Sequence, residues 1–203
     1  MKHVITAAMA AIGLVACTSI PPAEPYFASV ETTQTLQSTL PADTRIAIGT
    51  FTASESVENT PKCRLAGRIN PAGTQTIPDY IRSAFVTELK AADLYDAEAP
   101  IVLSGQVLQS DLVSTGTASW TINLTLSNGD DSFDTMKVSE FQSRFEAGAA
   151  CAASEAAYRN AVSELVKTII AKPEFAALVS DAGAEAAPEA PLATETPSET
   201  PES

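Results

Sequence analysis

The sequence predicts an α+β fold, a two-layer sandwich in which a mostly antiparallel sheet carries two long helices on one face. Three observations lead there. Ile77, Ile81, Phe85 and Leu89 recur every four residues and make one apolar stripe of a helix. Trp120, Ile122, Leu124 and Leu126 alternate with Thr121, Asn123 and Thr125, the period of a strand with one buried face. Tyr158, Val162, Leu165 and Ile169 form a second helical stripe. The elements follow the order β-α-β-β-β-α.

Each element has its own signals. After a Pro-Ala-Asp-Thr loop, Ile46 and Ile48 share one face of a short strand over residues 45–51. Thr76 caps the first long helix, and Pro78 lies in its first turn, where a missing N–H costs little. Arg82, Glu88 and Lys90 fall away from its stripe, and Leu94-Tyr95 closes it. Ile101, Leu103, Gly105 and Val107 alternate in the next strand. The strand of Trp120 runs into Asn128-Gly129, a strong hairpin signal. In the strand over residues 132–145, Met136 and Val138 occupy one phase and Phe141 and Phe145 the other, which predicts a bulge near Ser139. The last helix is expected over residues 149–171, ended by Lys172-Pro173, with Phe175, Leu178 and Val179 in a final packed turn. The far face of the sheet carries Thr, Ser, Asn and Gln and can stay wet or accept a partner.

The termini read differently. Met1, Lys2 and His3 precede an uncharged apolar stretch over residues 4–15, too short for a bilayer core that needs about 20 residues. Leu14-Val15-Ala16-Cys17 resembles the bacterial lipobox. The resemblance implies a signal peptide over residues 1–16, cleaved before Cys17, and acylation of Cys17 as a membrane anchor. Thr18, in place of Asp, favours the periplasmic side of the outer membrane. Residues 17–44, rich in Pro, Ser and Thr, read as a lipidated tether. Residues 45–179 are the globular domain. Residues 180–203 contain acids and prolines but no aromatic or basic side chain, so they bury too little to offset ordering and are expected to be disordered.

The formal net charge of −13 argues against nucleic acid, which needs a basic surface. With Cys17 acylated, Cys63 and Cys151 remain, and an even pair in an oxidising compartment reads as one disulfide. It would close a loop of about 90 residues and contribute at most roughly 4.5 kcal/mol.

CRLAG at 63–67, YIRSAFVTELKAADLY at 80–95, Trp120, SNG at 127–129, AC at 150–151 and PEF at 173–175 together resemble, in that order, an uncharacterised family of proteobacterial envelope lipoproteins. The resemblance implies an envelope location and supplies no activity.

Little in the chain suggests catalysis. His3 is the only histidine and leaves with the signal peptide, which removes histidine general bases, His-containing triads and His-ligated zinc. Asp130, Asp131 and Asp134 lack EF-hand spacing and read as a solvated turn. Arg64 and Arg68 could meet an anion at a helix start but read better as partners of surface acids. No catalytic residue, metal ligand or cofactor site is expected. The chain reads as a non-enzymatic, outer-membrane-anchored periplasmic lipoprotein, attached through Cys17, that binds another envelope component, with an envelope protein as the expected partner. The alternative is an accessory lipoprotein of a transport system that carries a small apolar ligand or lipid. An uncovered sheet face or edge would favour the first, and an apolar cleft between the layers the second.

Overall fold

Alternation sets the sheet. In the computed structural model, which describes residues 25–64 and 67–185 with side chains to residue 180, β5 (Ala118–Ser127) buries every second residue from Ala118 to Leu126. The expected signal peptide, Cys17 and residues 186–203 of the expected tail lie outside the described residues. β4 (Ile101–Val113) and β6 (Ser132–Phe141) flank β5 and pair with it antiparallel, while β1 (Ile46–Ala53) pairs parallel with β4. The sheet order is therefore β1-β4-β5-β6. A parallel β1–β4 pair needs a crossover, and α2 (Ile77–Ala91) supplies it. The result is the expected α+β sandwich with a mixed, mostly antiparallel sheet.

The helices form as their caps and stripes dictate. Thr76 Oγ1 accepts from the backbone N–H of Asp79, and α2 buries Ile77, Ile81, Phe85 and Leu89. α3 (Ala147–Ile170) begins slightly earlier than expected because Glu146 caps it, accepting from the N–H groups of Gly148 and Ala149. Those two N–H groups hold the Glu146 carboxyl below the usual range. α4 (Pro173–Glu185) is longer than the single packed turn expected and runs past residue 179; Phe175, Leu178 and Val179 are buried. A small hairpin of β2 (Lys62–Cys63) and β3 (Gly67–Arg68) lies outside the main sheet.

Three expectations need correction. First, the tether over residues 17–44 is not unstructured throughout: α1 (Val30–Thr39) packs against α2 and α3. Ser29 caps it, and Thr32, Leu36 and Leu40, four residues apart, are all buried. Second, Glu88 does not turn to solvent. It is fully buried on the flank of α2 that this N-terminal segment covers. Third, β6 has no bulge near Ser139. Its pairing with β5 is continuous from Ser132 to Phe141. Phe133, Thr135, Lys137, Ser139 and Phe141 share the phase of Trp120 and face the helices, which leaves Met136 and Val138 on the open side. Polar inward residues are tolerated because β6 is an edge strand under the rim of α3. There Glu164 accepts a hydrogen bond from Ser139 at 2.6 Å and pairs with Lys137 at 3.5 Å.

The bulges lie elsewhere. β1 carries one extra residue between Ile48 and Phe51, and β4 carries one, Leu108, between Val107 and Gln109. The β4 bulge reverses the phase of that strand, so Gln109, Asp111 and Val113 point away from the helices. Gly105 is required where it stands: a Cβ there would lie 2.5 Å from the ring of Phe51, which packs on Phe85. Between the layers, Trp120, Tyr158, Phe85, Phe175, Ile81, Leu89 and Leu103 are buried in one core cluster.

Candidate functional site

Among the described residues, helices cover only one face of the sheet, so the other face presents its side chains in rows set by strand register. Gln106, Thr125 and Asp134 make one row across β4, β5 and β6. Gln109, Asn123 and Met136 make the next, followed by Asp111, Thr121 and Val138. Val113, Ser119 and Glu140 complete the face at one end. Polar side chains of the face bond to one another: Thr125 donates to Asp134 within its row at 2.6 Å, and Gln109 to Asp111 of the next row at 2.7 Å. Set among them are apolar side chains left in water. Met136 is 62% exposed, Val138 49% and Val113 47%. Asn123 Oδ1 is buried in the same face without a hydrogen-bond partner.

The edges of the sheet are blunted, which makes the face the available surface. At the β1 edge the bulge breaks the ladder, and Arg82 of α2 donates to the carbonyls of Ile48 and Gly49 at 2.8 and 2.7 Å. At the β6 edge Lys137 points inward, and Lys172 donates to the Asp134 carbonyl at 3.2 Å. Bulges and inward charges of this kind discourage strand addition.

The disulfide end of the molecule is built as a clamp. Cys63 and Cys151 are bonded, with Cα atoms 5.8 Å apart, and join β2 to the first turns of α3. Arg64 follows with φ 49°, a left-handed conformation that costs a non-glycine residue about 1–2 kcal/mol. Its guanidinium offsets this by donating to the carbonyls of Ser114, Arg144 and Phe145 at 3.0, 2.7 and 2.8 Å, and to Ser143 Oγ at 3.3 Å. Arg64 is thus committed to holding the β6–α3 loop rather than an anion. Arg68 pairs with Glu58 at 2.6 Å. A polar-walled cleft of about 860 Å³ opens beside the clamp, and Phe145 stands on its rim in full contact with water.

The hairpin acids do not converge. Asn128 Oδ1 accepts from the N–H groups of Asp130 and Asp131, while the Asp134 carboxylate is engaged by Thr125. Among the described residues, no three His, Cys, Asp or Glu side chains are placed to hold a metal ion.

Among the described residues, Glu88 is the one fully buried carboxyl. Its Oε1 accepts from Tyr26 Oη at 2.6 Å and from the Ser29 N–H at 3.0 Å, so it pins the start of α1. Oε2 is buried without a partner. Burial pushes the Glu88 carboxyl above its ordinary range, although the two hydrogen bonds oppose this. The folded state then holds this proton more tightly than the unfolded chain does. The contribution of Glu88 to stability is greatest below the unfolded value, about 4.3, and falls as pH rises through the folded one. The wild-type thermal midpoint minus that of Glu88→Gln should therefore decrease between pH 4 and pH 7; a difference independent of pH would show that Glu88 titrates normally.

Sequence reasoning foresaw the polar far face and the cysteine pair but missed the apolar residues on that face, Met136 and Val138. The signal was available: these two alternate with Lys137 and Ser139, but hydrophobicity invited placing them inside. Neither a protein-family model nor a curated protein matches the chain. The chain is similar to a solved Xanthomonas campestris protein of family DUF330, with TM-score 0.45 and 17% identity over 70% of this chain and 88% of that one. It is also similar to a second solved protein, itself described only as uncharacterised, with TM-score 0.41 and 7% identity over 62% and 92% of the two chains.

Proposed function

We propose that the chain is a non-enzymatic lipoprotein, anchored through Cys17 on the periplasmic side of the outer membrane, that docks an envelope protein on the open face of its sheet. The observation that carries this reading is the face left uncovered by the described residues, with Met136 and Val138 exposed midway along its edge strand β6 while both sheet edges are blunted. Among the described residues, the large side chains buried between the layers favour docking over carriage of an apolar ligand, which needs a cavity there. The apolar stretch ending in Leu14-Val15-Ala16-Cys17 supports the anchor.

Two measurements test the reading. Cys17→Ala should move the protein from the membrane fraction to the soluble periplasm; retention in the membrane would contradict the anchor. A photoreactive residue at position 136 should give a discrete cross-linked product in cells, and one at the exposed position Ser38 on α1 should not. Equal yields at both positions, or none at 136, would contradict docking on the sheet face.

A further inference from the structure

Resting on that docking role, we infer that the occupant of the open face is a cationic amphipathic segment of another protein, its apolar side chains seated on Met136 and Val138 and its Lys or Arg side chains on Asp134, Glu140 and Asp111. Along β6 the outward residues read Asp134, Met136, Val138, Glu140: acid, apolar, apolar, acid. Successive outward positions are roughly 6.7 Å apart, so the two acids lie roughly 20 Å apart with the apolar pair between them. Asp111 stands in the row of Val138, two strands and roughly 10 Å away. All three acids are exposed.

Among the described residues, no Lys or Arg occupies an outward position in these rows. Of the bases around β6, Lys137 pairs with Glu164 and Lys172 lies over the ring of Phe133, while Arg64, engaged by loop carbonyls, and Arg144 line the cleft that Glu140 also borders. The face therefore carries an apolar pair flanked by acids along β6, with a third acid across the sheet. Its occupants sort by charge. A second copy laid face to face would set three acids against three acids with no base between them. An anionic lipid surface or a nucleic acid meets the same repulsion. A segment with the pattern base-x-apolar-x-apolar-x-base in an extended conformation matches both the spacing and the sign. Burial of the apolar pair supplies contact, and the acids select the partner and its register.

The test uses two synthetic peptides of alternating Thr and Val, one with Lys at both ends and one with Glu, and the protein purified from membranes in detergent. Met136 is the only methionine beyond the apolar N-terminal stretch, so its 13C-labelled methyl resonance reports on the face alone. The Lys peptide should shift that resonance saturably. At low salt, Asp134→Asn with Glu140→Gln should weaken binding about tenfold, and added salt should weaken the wild type similarly. Val138→Ser, which leaves the Met136 methyl in place as the probe, should weaken binding several-fold, with circular dichroism confirming the fold. The Glu peptide should not bind. The inference is overturned if the Glu peptide binds equally, if the Lys peptide leaves the Met136 methyl unmoved at millimolar concentration, or if the protein dimerises through this face. If position 136 cross-links its partner in cells while the Lys peptide ignores the face, docking stands and the charge assignment fails.

Discussion

Trp120→Ala should lower the unfolding free energy by about 3–5 kcal/mol. Trp120 is the single tryptophan and is fully buried at the centre of β5. It joins the two layers directly: Nε1–H donates to the Ser154 carbonyl of α3 at 2.8 Å, and the ring meets Tyr158 edge-on at a centroid distance of 4.8 Å. Tyr158 in turn lies 5.7 Å from Tyr80 of α2, so one side chain supports contacts to both helices. Alanine removes the transferred apolar area and leaves a cavity that the sheet cannot close, because β4 and β6 hold β5 in register on both sides. Trp120→Phe keeps most of the ring and loses the hydrogen bond, and should cost about 1–2 kcal/mol. Urea denaturation followed by circular dichroism measures both. A loss below about 1 kcal/mol for Trp120→Ala would mean that the layers are not held together at this point.

Loss of the disulfide ranks next. Cys63→Ser with Cys151→Ser should cost about 2–4 kcal/mol, a large share of the roughly 5–15 kcal/mol that a domain has. The bond spans a sequence separation of 88, so most of its effect arises in the unfolded chain, whose loop it constrains. There is also a local consequence. Cys63 immediately precedes Arg64, whose guanidinium makes four hydrogen bonds that hold the β4–β5 turn and residues 143–145. Without the bond, hydrogen exchange over residues 142–146 should accelerate more than exchange in β5. If the variant keeps wild-type stability, or if both cysteines alkylate freely in native unreduced protein, the structural role of the bond is refuted.

Period carried most of the fold. The four-residue stripe of α2, the strict alternation of β5 and the stripe of α3 each depend on one buried face, and the structure buries the faces they name. What escaped depended on neighbours that a linear pattern does not contain. α1 has a single fully apolar residue on its inner face before Leu40, and its Thr-rich composition has low helix propensity; the cap at Ser29 and the spacing of Thr32, Leu36 and Leu40 were its only signals. Glu88 reads as solvent-facing until a strap that brings Tyr26 and the Ser29 N–H covers it. In the middle of β6 Met136 and Val138 lie outside and Lys137 inside, the reverse of the usual rule, because this edge strand meets Glu164 at the rim of the helical layer. The candidate surface was half legible for the same reason: Thr121, Asn123 and Thr125 announce an open face, while Met136 and Val138 imitate a core.

Oxidation of Met136 tests the docking face most directly. The side chain is 62% exposed in the isolated protein, and no other methionine lies beyond the apolar N-terminal stretch, so a single peptide mass reports its conversion to the sulfoxide. If an envelope protein occupies the open face, Met136 in intact cells should oxidise several-fold more slowly than in purified protein given the same peroxide exposure, and Met136 in a strain expressing the protein far above its partner should lose that protection. Oxidation at the same rate in cells and in solution would show the face to be empty where the protein works, and the docking account would be wrong.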